Sequence, residues 1–488
     1  MKIVPLGRTQ LKPPVLLVPK WKELTAITEW GVHHAKGTTN CFNLLQELEN
    51  CTLYVANSLR DLLQTTGSKC WQAELWKDHV VSMTLDGTRV KVNSLRRILD
   101  VQEGDEARFQ SVLELMGWLK NHNVPPGSIS SMAWSLWRST LNQPLNISFD
   151  GDIGREAFYG GRQESTPGHF QDMVALDISS AYPYEMAKTP YASRLRPVSP
   201  RTRINPNQAG LVVAKVQIPP NLTHSPLPIR LTDELIEWKT GEVEGSWTWR
   251  EIHAAKNLGC KIEILKNFAP LEEIQPFTQW WEVVKEGRQA LTPPGAKLVK
   301  ALSNSLWGMF AMTGDSRGLV RWTDELGYNQ EAVPRKRQRM PQANTAHIAA
   351  ETTSRVRVRM LTEGLYGAKN LEPNFPVHID TDGILIPRES LQHFTQDLIG
   401  VKSGQWRVKQ EIHKLEVKGT QLYRFTCTPN CAKEHGWHYV AAGMKEQQAK
   451  TFFSKNPGLS VSINGAQATN KATQRELALA TSRQMNRN

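Results

Sequence analysis

The sequence predicts a multidomain chain of mixed α/β and α+β class, and three observations carry that prediction. Its 488 residues exceed what one hydrophobic core organises, which points to two to four domains. Strand-length apolar runs, such as PVLLV at 14–18 and ILI at 384–386, alternate with segments of helical periodicity, such as SVLELMGWLKNH at 111–122. Finally, acidic residues sit immediately beside the apolar runs rather than on polar stretches, as in VALD at 174–177 and IDTDGILI at 379–386.

Composition narrows the function classes. Lys and Arg total 59 against 47 acidic residues, a formal charge of +12 that favours a polyanionic partner such as nucleic acid. No run of eighteen apolar residues occurs, and MKIVPLGRTQLKPP lacks the apolar core of a signal peptide, so a soluble, intracellular protein without a membrane partner is expected. The six cysteines are scattered, which argues against a disulfide framework.

Taken in order, residues 1–150 read as an α/β unit, and the densest polar-in-apolar clusters follow from 151. VALDISSAYPYEM, 174–186, makes a strand edge delivering Asp177, with Pro183 limiting how regularly the next segment continues. KLVKALSNSLWGMF, 297–310, reads as a helix with Lys300 and Asn304 on one face and Leu298, Ala301 and Leu302 packed on another. An ordinary amphipathic helix has the same pattern. RWTDELGYNQEAVPRKRQRMPQ, 321–342, is a basic, Pro-containing loop suited to a phosphate backbone or to a solvated connector. HIDTDGILIP, 378–387, places Asp380 and Asp382 at a reversal between two strands. Close carboxylates repel, and a hard divalent cation relieves that repulsion, although Asp-Thr-Asp-Gly is also a good turn sequence. If Asp177 converges with them, two ions about 4 Å apart can serve phosphoryl or nucleotidyl transfer.

Together these clusters resemble family B DNA polymerases, whose Asp-x-x-Ser-Leu-Tyr-Pro, Lys-x-x-x-Asn-Ser-x-Tyr-Gly and Tyr-x-Asp-Thr-Asp-Ser motifs match DISSAYP (177–183), KALSNSLWG (300–308) and HIDTDG (378–383) in the same order. The likeness spans residues 150 to 445 and is closest to compact phage or plasmid types. It implies a right-hand polymerase with palm, fingers and small thumb, preceded by an exonuclease-like domain. The implied divisions are 1–150 (reduced, inactive exonuclease-like domain), 151–280 (first part of the palm, with room for an insertion), 281–320 (fingers), 321–345 (basic excursion or second insertion), 346–445 (second part of the palm) and 446–488 (small thumb and tail).

Carried over residue by residue, the resemblance implies Asp177 and Asp382 as principal ligands of two Mg2+ ions, Mn2+ being able to substitute, with Asp380 as an additional acid and the Ile178 carbonyl as a backbone ligand. Tyr182 resembles the steric gate that excludes a 2′-hydroxyl, and Ser180 orients either the gate or the triphosphate, or is a structural hydroxyl. Lys300, with Arg288 and Lys297, resembles the triphosphate grip, while Asn304 and Gly308 lie against the nascent base pair. AFYGGRQE, 157–164, resembles the Tyr-x-Gly-Gly segment that touches template, giving Tyr159, Gly160, Gly161 and Arg162 as DNA contacts. At the primer-binding motif the lysine is missing from Gln421-Leu422-Tyr423, so Lys418 and Tyr423 are the expected primer contacts. Ala181, Trp307, His378 and Gly383 depart from the family pattern without removing a metal ligand.

In the N-terminal region YVANSLRD retains Asn57 and Asp61, and Asp105 echoes a third exonuclease motif, but the first strands hold no Asp-x-Glu. Editing is therefore expected to be absent. Cys427, Cys431, His435 and His438 are ligand-type residues, at a spacing that fits no common zinc hairpin. The expected activity is template-directed addition of deoxynucleotides to a primer 3′ end, with primer-template DNA and deoxynucleoside triphosphates as partners, in the cytoplasm or nucleoid of a bacterial host. Three other readings stay open: a terminal-protein-primed replicase working with further priming and replication factors, a damage-tolerant polymerase, and a noncatalytic DNA-binding relative.

Overall fold

The computed structural model describes residues 2–3, 13–20, 23–28, 30–48, 51–55, 71–76, 79–85, 91–94, 105–147, 152–232, 235–312, 317–322, 331–333, 345–367, 375–428, 436–441, 446–455 and 466–468. They fall into two compact units, one formed by 1–147 with 276–345 and the other by 148–275 with 346–488.

The first unit holds a nine-stranded mixed sheet whose centre is parallel: Pro14–Lys20 pairs with Thr52–Val55, which pairs with Lys91–Ser94. Parallel strands are covered on both faces, and Val15, Leu16, Leu17 and Val18 are accordingly all buried in an unbroken apolar run. The helix Thr38–Glu47 contributes Cys41, Leu44 and Leu45 to that core. A second core joins the helices Ile129–Ser139 and Pro293–Phe310, where Trp134 and Trp137 pack on Phe310 at ring separations of 5.2 and 5.1 Å.

The second unit is built on a seven-stranded antiparallel sheet in the order Arg162–Ser165, His378–Thr381, Gly383–Pro387, Gly168–Ile178, Trp406–Gly419, Leu422–Cys427, His438–Ala441. Alternation gives each strand two faces. Val174, Leu176 and Ile178, with Ile379, Ile384 and Ile386, pack against Val356, Met360 and Leu361 of the helical segment 346–365. Met173, Leu385, Ile412 and Phe425 form a separate cluster on the other face, the face to which Asp177 and Asp380 belong by the same alternation. A four-stranded antiparallel sheet, Tyr191–Val198, Lys261–Ile274, Leu211–Ile218 and Gly241–Thr248, forms its own core around Trp247 and Trp249.

The helix Ala346–Arg359 is buried along nearly its whole length despite four charged residues, because each has a partner. Arg355 donates to Glu351 at 2.9 Å, and Arg357 to Glu251 at 2.7 Å and to the Gly160 carbonyl at 3.0 Å. Arg359 donates to Glu363 at 2.7 Å and pairs with Glu185 at 3.2 Å. Pro183 does not interrupt its segment as the sequence suggested. It lies in the first turn of the helix Ala181–Lys188, where a missing N–H breaks no helical hydrogen bond.

Candidate active site

Asp177 is the last residue but one of its strand, and Asp382 occupies the reversal between His378–Thr381 and Gly383–Pro387. Backbone pairing sets the two acids side by side: Asp177 lies opposite Gly383, and the Ile178 N–H donates to the Asp382 carbonyl at 2.9 Å. The reversal is strained. Thr381 holds φ at 59°, costly for a β-branched residue, and the Asp382 N–H donates back to the Asp380 carbonyl at 2.7 Å. The Thr381 hydroxyl donates to Asp382 Oδ1 at 3.0 Å. Burial raises the Asp382 pKa, the negative charges of Asp177 and Asp380 add to the rise, and the Thr381 hydrogen bond and Lys409 oppose it. A buried carboxylate beside a second one is a hard-oxygen donor set suited to a divalent cation.

Asp380, expected as an additional acid of the metal site, has one carboxylate oxygen engaged by neighbouring side chains. Its Oδ1 accepts from Gln163 Nε2 at 3.0 Å and from Gln421 Nε2 at 2.8 Å, which ties the reversal to the neighbouring strands. Among the described residues no three His, Cys, Asp or Glu side chains gather as a metal-binding group. Asp177 and Asp382 are the two acids that backbone pairing sets side by side, and Ile178 follows Asp177 at the strand's last position.

Sequence reasoning missed the cations of this site. Arg407 approaches both Asp177 oxygens at 3.4 Å, and Lys409 Nζ reaches Asp177 Oδ2 at 3.1 Å. Only strand pairing reveals them, since WRVKQEIHKLEVKG carries charges at six positions and the pattern does not tell which of them lie beside Asp177. Tyr182, in the first turn of the helix Ala181–Lys188, is held beside the acids: burial raises its phenol pKa, Asp382 and Asp380 raise it further, and Arg357 opposes them. Ser180 caps that helix in the left-handed region, with φ at 54°, and its carbonyl accepts from the Tyr184 N–H at 2.9 Å.

Several residues expected at DNA lie in the core instead. Tyr159 is buried in the Trp247–Trp249 cluster, its pKa raised to about 12 chiefly by burial. Arg162 is 5% exposed because it pairs with Glu164 at 2.9 Å, donates to the Ser225 carbonyl at 2.9 Å and lies over the Trp238 ring. Lys418 is 3% exposed and pairs with Glu416 at 3.2 Å, over the Phe453 ring. Glu164 and Glu416 stand only two residues away, but Ser225, Trp238 and Phe453 come from distant segments that sequence spacing does not reveal. Gly161 is needed for close packing, because a Cβ there would sit 2.7 Å from the Thr381 side chain, whereas a Cβ at Gly160 meets nothing within 4 Å. Tyr423 stacks on His378 with ring centroids 4.9 Å apart. Burial lowers the His378 pKa to about 4, with Asp380 opposing the shift.

Residues 125–348 match the family model of type B DNA polymerases, organellar and viral. That match covers a little under half of the chain. Its fold agrees with that of solved phage Phi29 DNA polymerase structures. The complex with primer-template DNA matches with a TM-score of 0.66 at 11% identity, over 91% of this chain and 95% of that one. The ternary complex with primer-template DNA and incoming nucleotide matches with a TM-score of 0.62 at 10% identity, over 92% and 95% of the two chains. No curated protein sequence matches it.

In the first unit, Lys297, Lys300 and Asn304 are exposed on the helix Pro293–Phe310, Gly308 is half-buried on it, and Arg288 is half-buried on the helix Thr278–Ala290. Trp280 and Trp281 are core residues. Asn57, Asp61, Cys431, His435 and most of the basic 321–345 stretch lie outside the described residues; Cys427 accepts from Gln410 Nε2 at 2.8 Å and His438 stacks on Phe425. Among the described residues no helix is long and apolar enough to cross a membrane.

Proposed function

We propose that this chain is a type B DNA polymerase that extends a primer 3′ end on a DNA template by two-metal nucleotidyl transfer at Asp177 and Asp382, using deoxynucleoside triphosphates and without editing its products. The observation that carries the reading is a half-buried Asp382 held beside the buried Asp177 by a strained reversal, with the charge of Asp177 felt at Asp382. Two Mg2+ ions, or Mn2+ in their place, supply an activated primer hydroxyl and neutralisation of the pyrophosphate that leaves.

Asp177, Asp382 and the Ile178 carbonyl hold the ions, while Asp380 fixes the reversal through Gln163 and Gln421. Tyr182, packed beside Asp382, supplies a rigid ring where the sugar of an incoming nucleotide lies, and so selects deoxynucleotides. Exposed Lys300 and Lys297, with Arg288, bind the triphosphate, and Asn304 and Gly308 meet the new base pair. Base pairing supplies the sequence information, so protein contacts fall on the backbone. The absence of editing is supported by the central strand Pro14–Lys20, which contains no acid.

Extension of a labelled primer on a longer template, with Mg2+ and all four deoxynucleotides, tests the reading. A ladder that disappears in Asp382→Ala, with DNA binding retained, is expected. Substantial synthesis by that variant overturns the assignment of the acids. Synthesis only when a protein supplies the priming hydroxyl replaces the nucleic-acid primer by a terminal protein.

A further inference from the structure

The strand Trp406–Gly419 is irregular at one point. Asp177 pairs with Arg407, Leu176 with Val408 and Ala175 with Gln410, so Lys409 is an extra residue in a β-bulge. A bulge re-aims a side chain and is frequent beside active sites. Here it lets Arg407 and Gln410, three residues apart, both follow the face of Asp177 and Ala175, and Lys409 Nζ reaches Asp177 Oδ2 at 3.1 Å. The positive charge of Lys409 is also felt at Asp382. Lys409 thus stands by both acids, with its side chain 55% exposed while that of Asp177 is 10% exposed.

A half-exposed lysine gains little stability from a simple surface ion pair. One delivered by a bulge to a buried carboxylate pair relieves the repulsion that a divalent ion also relieves. We propose that Lys409 is a resident cation of this site, a positioning residue that holds Asp177 and Asp382 in the metal-free protein and competes with the divalent ion for Asp177. Metal binding then requires Lys409 to release Asp177, which weakens affinity for the ion. Arg407, at 3.4 Å, is the more distant companion. The inference rests on the reading of Asp177 and Asp382 as metal ligands.

Direct Mn2+ titration by electron paramagnetic resonance at pH 8, without DNA, tests it on the full chain. Lys409→Gln should bind Mn2+ about five- to tenfold more tightly than the parent, and Lys409→Arg should stay within about twofold of it. In EDTA, Lys409→Gln should melt below the parent and Lys409→Arg close to it, because only the glutamine leaves the carboxylates unrelieved. Unchanged or weaker Mn2+ affinity in Lys409→Gln, or no difference in EDTA, overturns the resident-cation role. Undiminished Mn2+ binding by the double variant Asp177→Asn, Asp382→Asn overturns the ligand assignment itself, a result separable from the first.

Discussion

Asp382 carries a cost that its function explains. Burial raises its pKa, so as pH falls the folded chain takes up this proton before the unfolded chain does. Stability therefore decreases as pH rises through the window between the two values, and at neutral pH the charged carboxylate remains unfavourable. Asp382→Asn keeps an oxygen for the Thr381 hydroxyl and removes the charge. In EDTA at pH 7.5 it should raise the melting temperature by about 2 °C, while primer extension falls by at least about a thousandfold. Calorimetry and single-nucleotide incorporation check the two halves. Arg162 makes the opposite case: with its guanidinium paired to Glu164 and bonded to Ser225, Arg162→Ala should cost about 1–2 kcal/mol in urea unfolding and leave DNA affinity at fixed salt within about twofold. Asp177 and Asp382 were legible in the sequence because an acid beside an apolar run is anomalous wherever it folds. Arg162, Tyr159 and Lys418 were not, because their burial depends on Ser225, Arg357 and Phe453, each far away along the chain.

At the scale of elements, the Asp380–Asp382 reversal is clamped from three sides. Gln163 on the edge strand and Gln421 in the turn beyond Trp406–Gly419 hold Asp380, and Gly161 lets the backbone come against Thr381. A methyl group at Gly161 would fall 2.7 Å from Thr381 and must push a residue already held in a left-handed conformation. Gly161→Ala should therefore lower kcat at least about tenfold and cost about 1–3 kcal/mol in unfolding free energy, whereas Gly160→Ala, which meets nothing, should change both little. Steady-state incorporation and urea titration on the two variants separate the cases. The strands around this reversal were readable because ILI and VAL are buried on regular alternation. The bulge at Lys409 was hidden, since a one-residue irregularity leaves no periodic trace in a strand whose polar residues outnumber its apolar ones. The buried helix Ala346–Arg359 was equally hidden: its Arg355, Arg357 and Arg359 resemble a solvated face until Glu351, Glu251 and Glu363 are placed beside them.

At the scale of the molecule, the chain weaves between its two units, with 276–345 joining the N-terminal residues and 346–488 returning to the unit that holds Asp177. A net charge of +12 gives the whole chain a favourable field for DNA, so on the proposed function removing cations far from Asp177 and Asp382 should slow association before it affects catalysis. Editing is a separate matter, decided by the sheet of the first unit. Removing a mismatched nucleotide by two-metal hydrolysis needs carboxylates projecting from strands at fixed positions. The parallel strand Pro14–Lys20 offers Val15, Leu16, Leu17 and Val18, all buried, and replacing any of them by an acid would place an unpaired charge in the core. Glu23, on the next strand, is instead paired with Lys36 at 3.1 Å and half-exposed. The strand Pro14–Lys20 is thus held by apolar burial, which supports the proposal that mismatched nucleotides are not removed. Incubated with Mg2+ or Mn2+ and no nucleotides, a labelled primer with a mismatched 3′ end should remain at full length over the time in which the same protein, given nucleotides, extends a matched primer. Shortening of the mismatched primer that persists in Asp382→Asn would place a nuclease in the first unit and overturn the expectation.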